Sequence, residues 1–362
     1  MSVPTPTSPP RRARPHAAGA VLLGLALAAC AATPPPPPSL ASPSATAAPA
    51  TVAAPSASAA PSLAPSPAPS LASLDLVWQK AGPVTDKTST VATALDPATG
   101  NLWVAVPFEN RYWIFTPEGK YLESWGTAGT GDGQFDFSDH AQTPDGFGAI
   151  AFAPDGSFYI GDTGNHRIEA FDKNRTFVRA WGSFGTGDGQ FSQITSLATD
   201  GKTVYVGDGD RYDIQAFDRT GTFIRSFGAE GAFCFVALDA KGRIHATNPQ
   251  NPIDAPNTMA IFAPDGSVQS QTDLSPWGGR PFALSVDAAG MTYVSPELAD
   301  LPFSGIAIIE IDPSGRVTRQ WAGGGDAITV TPAGDAVYVT SGMNLISGGI
   351  WTYVRKYAIP KP

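Results

Sequence analysis

Cysteine is nearly missing from this chain: 362 residues contain two, Cys30 and Cys234. A disulfide-stapled scaffold and a cysteine-built zinc cage are thereby excluded, and the fold must be held by its core. Histidine is almost as scarce, with four residues, His16, His140, His166 and His245. Basic charge is short as well, with 23 Lys and Arg against 32 Asp and Glu and a net charge of -9. An acidic chain of this kind lacks the footprint of a nucleic-acid binder. Long hydrophobic runs are missing too. The clearest one, residues 17–29, is too short to cross a bilayer as a permanent helix. Beyond residue 74 no window sustains a helical period, which leaves strands as the building material.

What is present at the start is a basic flank (Arg11, Arg12, Arg14), the apolar run "AAGAVLLGLALAA", and then Cys30. This is the layout of a secretory signal. Leu27-Ala28-Ala29-Cys30 resembles the bacterial lipobox, in which the cysteine receives a diacylglyceryl group and becomes the new N-terminus. The resemblance implies a signal peptide over 1–29, lipidation at Cys30, and a membrane anchor at the outer side of the bacterial cytoplasmic membrane or in the cell envelope. Removing residues 1–29 takes three of the 23 basic residues and none of the 32 acidic ones, so the mature net charge is -12.

From Ala31 to Ser73 the chain is almost wholly Ala, Pro, Ser and Thr with no charged residue. Such a segment cannot bury enough apolar surface to offset its ordering entropy, and its prolines favour extended polyproline II. At ~3.1 Å per residue it reaches on the order of 100 Å at most. It reads as a disordered spacer over 30–73 that precedes one domain, 74–362.

That domain repeats. "YIGDTGNHRIEAFDKNRTFVRAWG" (159–182) aligns with "YVGDGDRYDIQAFDRTGTFIRSFG" (205–228) at an offset of 46 residues. A period of that size with several short strands per unit marks a β-propeller. Six units are traced by inner strands near Thr93–Asp96, Ile150–Ala153, Ser196–Asp200, Val236–Asp239, Leu284–Asp287 and Ile328–Thr331. Each is followed by a turn such as "PATG" or "PDG", whose glycine supplies positive φ. Outermost strands end in an aromatic (Trp125, Trp181, Phe227, Trp321) placed to wedge between blades. The sixth unit has no such strand, while Leu74–Gly82 carries the missing pattern with Trp78. The N-terminal strand is therefore expected to close the last blade and cover its edge.

Asp162, Gly164, Asn165, His166, Arg167 and Ile168 resemble the central signature of the NHL repeat. The match is close in unit two and partial in units three and one. The resemblance implies an all-β, six-bladed propeller of the NHL or TolB-like kind.

"GTGDGQF" occurs at Gly129–Phe135 and at Gly185–Phe191. It lacks the lysine of a phosphate loop and a following helix. Each copy offers one carboxylate, Asp132 or Asp188, where calcium takes six to eight oxygens. Both copies are expected to be crossovers between blades, anchored by Phe135 and Phe191. In the NHL-like turns, His166 and Arg167, with Arg211 and Tyr212 in the next blade, have a framework reading and a ligand-binding reading.

Zinc lyases that share this fold place histidines at the inner-strand starts, which here align with Val91, Gly148, Thr195, Cys234, Phe282 and Asp326. None is histidine, and Cys234 in "AFCFVAL" reads as a small buried hydrophobe. Lactonase-type propellers hold calcium with Glu, Asn and Asp around the channel. Asp326 is the acidic residue at a channel-facing start, and Asn165, Asn248, Asp254 and Glu297 approach from loops. No cofactor is required by this reading, with calcium the ion an enzyme would use.

Extended loops ("TNPQNPIDAPN", "SPELADLPFSG", "SGMNLISGG" and the crossover 127–146) are expected to rim one mouth of the channel with Tyr112, His140, Asp254, Glu297, Phe303 and Met343. The sequence therefore points to a monomeric, lipid-anchored scaffold for a protein, peptide or glycan of the envelope. Its alternative is a calcium-dependent lactonase or lyase.

Overall fold

The computed structural model describes residues 72–81, 92–138, 147–248, 257–277, 280–297, 307–345 and 349–361. Among them the chain forms six sheets, each built on an antiparallel four-strand meander, and together they make a six-bladed β-propeller. The inner strands are Thr93–Leu95, Ile150–Phe152, Ile194–Thr199, Phe235–Leu238, Arg280–Val286 and Ala327–Val330. All six fall where the repeat puts them.

The core is divided into six slices, one between each pair of neighbouring blades. This follows from the period of two in a strand, which deals successive side chains to opposite faces. In "LWVAV", Leu102, Val104 and Val106 pack toward blade six, while Trp103 and Ala105 pack toward blade two. The middle strands are therefore apolar at nearly every position rather than at alternate ones.

The outer aromatics wedge as expected. Trp125 meets Phe158 and Phe171 of blade two, Trp181 meets Phe217 of blade three, and Phe227 meets Phe262 of blade four. Each ring also needs room at the outer hairpin of the blade it enters. A Cβ on Gly119 or Gly221 would come within 2.6 Å of the Trp78 or Trp181 ring. Blade two has Arg175 at that hairpin, held at φ 67, with its guanidinium 5.0 Å from the Trp103 ring and bonded to Glu123.

Closure is by the N-terminal strand. β1 (Ala72–Ser73) runs parallel to the outer strand of blade five beside Trp321 and Ala322. β2 (Asp75–Ala81) pairs antiparallel with Gly349–Ala358 and supplies the fourth strand of blade six. Trp78 lies against Tyr338, and its indole N–H donates to the Pro117 carbonyl of blade one at 3.0 Å. The sequence left residues 72 and 73 in the spacer. Their backbone instead pairs with Trp321 and Ala322, so the strand pairing starts two residues earlier.

A ring of side-chain hydroxyls ties the blades together. Tyr112 donates to Gly148 O, Thr163 to Ile194 O, Thr195 to Cys234 O, Thr247 to Pro281 O, Ser295 to Gly325 O, and Thr329 to Thr93 O. Each bond crosses one blade interface, and the last joins blade six to blade one.

Candidate functional site

In this topology the crossovers and the turns between second and third strands share one face. The repeated loop lies there, and a buried polar clamp fixes it. Phe135 and Phe191 are fully buried, and each closes a short parallel bridge, with Ala128 and Phe184 respectively. Arg167 then bonds the loop from below. Its Nη1 donates to Thr130 O at 3.0 Å, and its Nη2 to Gly131 O at 2.8 Å and Gln134 O at 3.0 Å. Its Nε donates to Asp162 at 2.8 Å, and its Nη2 lies 2.7 Å from Glu169.

Asn165 donates to Gly129 O and to Asp162, and Asp162 accepts the Asp136 N–H at 2.6 Å. Blade three repeats the plan with changed parts. Arg211 donates to Gly187 O and pairs with Asp213, while Gln215 takes the place of Glu169 and bonds both Gly189 and Gln190. In blade four Asn248 donates to Gly231 O at 3.0 Å. Gln134 and Gln190 add internal bonds, accepting the Gly131 and Gly187 N–H groups. The loop is a clamped connector.

Burial distorts the ionisation of the clamp. It pushes the Asp162 carboxyl up to about 6 against three opposing hydrogen bonds, and Glu169 up to about 7 against the pull of Arg167. Asp208, buried among four backbone N–H donors, is also raised by burial. Elsewhere burial pushes the Cys234 thiol up to about 12, which suits an inert core residue. His245 is buried between blades four and five, bonded to Thr292, and pushed down to about 4 by burial despite Asp239.

The expected site residues separate. Arg167 and Arg211 are engaged in the clamp. His166 holds φ 55 at the end of a 3-10 turn, with its ring 5.0 Å from Phe184. Tyr212 holds φ 58 and is 39% exposed. Tyr112 does not reach a rim. It is fully buried between blades one and two among Trp103, Trp125, Phe135 and Phe137, because its strand is packed on both faces.

Glu297 ends the second strand of blade five, paired with Arg280. "SGMNLISGG" is less of a loop than expected. Blade six extends as a ladder that pairs Met343 with Trp351 and Leu345 with Gly349, carried by the β-forming run "IWTYV". His140, Asp254 and Phe303 lie outside the described residues.

The central channel holds a cavity of about 90 Å³. Thr195 and Asp326 line it as aligned. Gly148 and Cys234 do not; Ala149 and Phe235 take their places, Ala283 lines the wall from blade five, and Val91 lies outside the described residues. A one-residue shift in a strand exchanges the faces, so Phe235 turns to the channel while Cys234 is buried. Among the described residues no three His, Cys, Asp or Glu side chains gather where they could hold a metal, and one carboxylate at the mouth falls short of a calcium cage.

Sequence reasoning missed two aromatics on this face. Phe184 is 63% exposed, and its signal was the change from "TAGTG" to "SFGTG" at the repeat, which puts a phenylalanine where the first copy has Ala128. Phe147, just before the inner strand of blade two, reaches past blade three to meet Phe235 of blade four with ring centroids 5.5 Å apart.

No protein-family model matches the sequence, and no curated protein matches it either. Solved structures do. A catalytically inactive virginiamycin B lyase from Staphylococcus aureus, with quinupristin, superposes with a TM-score of 0.52 at 12% identity, over 78% of this chain and 99% of that one. A streptogramin B lyase gives 0.51 at 12% identity, over 79% and 88%. At such identity the likeness concerns architecture, and it agrees with a ring of six blades.

Proposed function

We propose that this chain is a cell-envelope lipoprotein whose NHL-like propeller is a rigid binding scaffold for a protein, peptide or glycan. In this reading residues 1–29 are the signal, Cys30 carries the lipid, and the segment up to residue 71 spaces the ring from the membrane. The observation that carries the binding role is the clamped crossover face. Arg211 and Asp208 in blade three fix the crossover that presents the exposed Phe184 and the turn that presents the exposed Tyr212. Arg167, Asp162 and Asn165 in blade two fix the matching crossover of the blade before. Fixed loops with exposed rings lose little entropy when a partner docks.

The test is capture of envelope components by the immobilised full chain. Replacing both Phe184 and Tyr212 with Ala should abolish capture, whereas Val178→Ala on an outer strand should leave it intact. Equal capture by all three proteins would contradict the scaffold reading.

A second reading, a calcium-dependent lactonase or lyase, would have to build its site around Asp326, the one carboxylate among the described residues at the channel mouth. It requires a stoichiometric metal in the purified protein and a rise in melting temperature with calcium. Absence of both counts against it.

A further inference from the structure

Blades one, two and three finish their outer hairpins with a pair of rings. The register sets Tyr121 opposite Phe115, Phe177 opposite Phe171 and Phe223 opposite Phe217. The rings meet edge to face, with centroids 5.7, 6.0 and 5.9 Å apart. In blades two and three the preceding crossover also covers the pair. A Cβ on Gly133 would lie 3.8 Å from the Phe171 ring, and one on Gly189 would lie 3.9 Å from the Phe217 ring.

Between blades three and four each of these parts is reduced. The crossover shortens from ten residues, at 126–135 and 182–191, to the six of "GAEGAF" at 228–233. The wedge is Phe227, smaller than Trp125 and Trp181, and the residue opposite Phe262 is Val268, 54% exposed, where the earlier blades have an aromatic. Together these reductions leave a cleft of about 350 Å³ on the flank of the ring. Its floor is aromatic, with Phe227 and Phe233 at 5.2 and 5.3 Å from the Phe262 ring. Glu230, exposed on the short crossover, is the one charged side chain among the described residues that line it. At the hairpin end Arg225 ties the two blades by donating to the Pro264 carbonyl.

We propose that this cleft receives a phenylalanine or tryptophan side chain, flanked by a basic residue, from a peptide or protein partner. The inference goes beyond the scaffold reading, because neither Phe184 nor Tyr212 lines the cleft. The molecule itself shows what fits there. A partner's ring enters where Phe177 and Phe223 stand in their own blades, edge-on to Phe262, and the partner's backbone covers it as the longer crossovers do. A cavity of about 150 Å³ holds a benzene ring, so about 350 Å³ takes a whole aromatic side chain with part of the backbone that carries it. Glu230 at the rim and a net charge of -9 favour a basic neighbour on the partner.

The probe is a pair of end-capped pentapeptides, Gly-Lys-Trp-Lys-Gly and Gly-Lys-Ala-Lys-Gly, titrated into the full chain. The tryptophan peptide should bind wild type about tenfold tighter than the alanine peptide. Val268→Phe supplies the missing ring from within, so it should erase the preference and raise the melting temperature, as cavity filling does. Gln271→Trp, which obstructs the cleft from the same strand, should also erase the preference. Ile224→Phe, at an exposed position that does not line the cleft, should keep it. Glu230→Gln should weaken binding of the tryptophan peptide about twofold. Equal binding of the two peptides, binding of neither, or a preference that survives both Val268→Phe and Gln271→Trp overturns the inference. So does self-association of wild type that Val268→Phe abolishes without any peptide preference, which gives the cleft to a second copy. The scaffold reading is judged on Phe184 and Tyr212 and stands or falls apart from these results.

Discussion

At the scale of single residues, Arg167 does the most. It faces two fully buried carboxylates and three loop carbonyls, so Arg167→Ala leaves charges and acceptors without a donor. Removing one partner of a buried ion pair costs about 3–5 kcal/mol. Urea unfolding of Arg167→Ala should show a loss in that range, with Arg167→Lys recovering only part because a point charge cannot serve five acceptors.

Glu169 predicts a pH dependence. It keeps its proton in the native state up to about 7. An unfolded glutamate releases its proton near about 4.3, so the stability from this group is whole below about 4 and drains as pH rises through 7. Asp162, pushed up to about 6, drains in the same direction. His245, pushed down to about 4, acts oppositely. Its contribution is whole above about 6.5 and is lost as pH falls through 4. Melting temperature followed from pH 4 to 8 should therefore show Glu169→Gln gaining on wild type as pH rises, with the gap level above about 7. Parallel curves would contradict the assignment.

At the scale of elements, the closing strand was legible in the sequence because absence and presence matched. The sixth unit lacked an outer strand, and Leu74–Gly82 had the pattern without a unit. Trp78 is the residue that makes this pairing specific, through Tyr338 and the Pro117 carbonyl. It is half-buried, so Trp78→Ala should cost about 2 kcal/mol, below the 3–5 kcal/mol of a fully buried ring, measurable by denaturant unfolding.

Other elements were harder to read. The strand period identified the inner strands but not which residue of each faces the channel, since one step exchanges Cys234 for Phe235. The extended hairpin of blade six carried glycines that read as turn signals, whereas its flanking residues continue the ladder to Leu345 and Gly349. Tyr112 read as a rim residue because it adjoins a turn, yet its strand is buried on both faces and its hydroxyl is bonded to Gly148. A turn-adjacent position alone does not separate wall from rim.

At the scale of the whole molecule, six slices of core and six hydroxyl-to-carbonyl bonds form a closed circuit, with no pair of cysteines available within the ring to lock it. Rigidity of the crossover face depends on that circuit, and so do the positions of Asp326, Phe184 and Tyr212. The circuit is joined at Gln79 and Arg355, which face each other across the last strand pair with Arg355 Nε 2.9 Å from Gln79 Oε1. The most direct measurement replaces both with cysteine in a full chain carrying Cys30→Ser, followed by non-reducing peptide mapping and thermal unfolding. A closed ring predicts an intramolecular disulfide between positions 79 and 355 and a stabilisation of about 4 kcal/mol from tethering so long a loop. Free thiols at both positions, or cross-links between molecules alone, would contradict closure and the scaffold built on it.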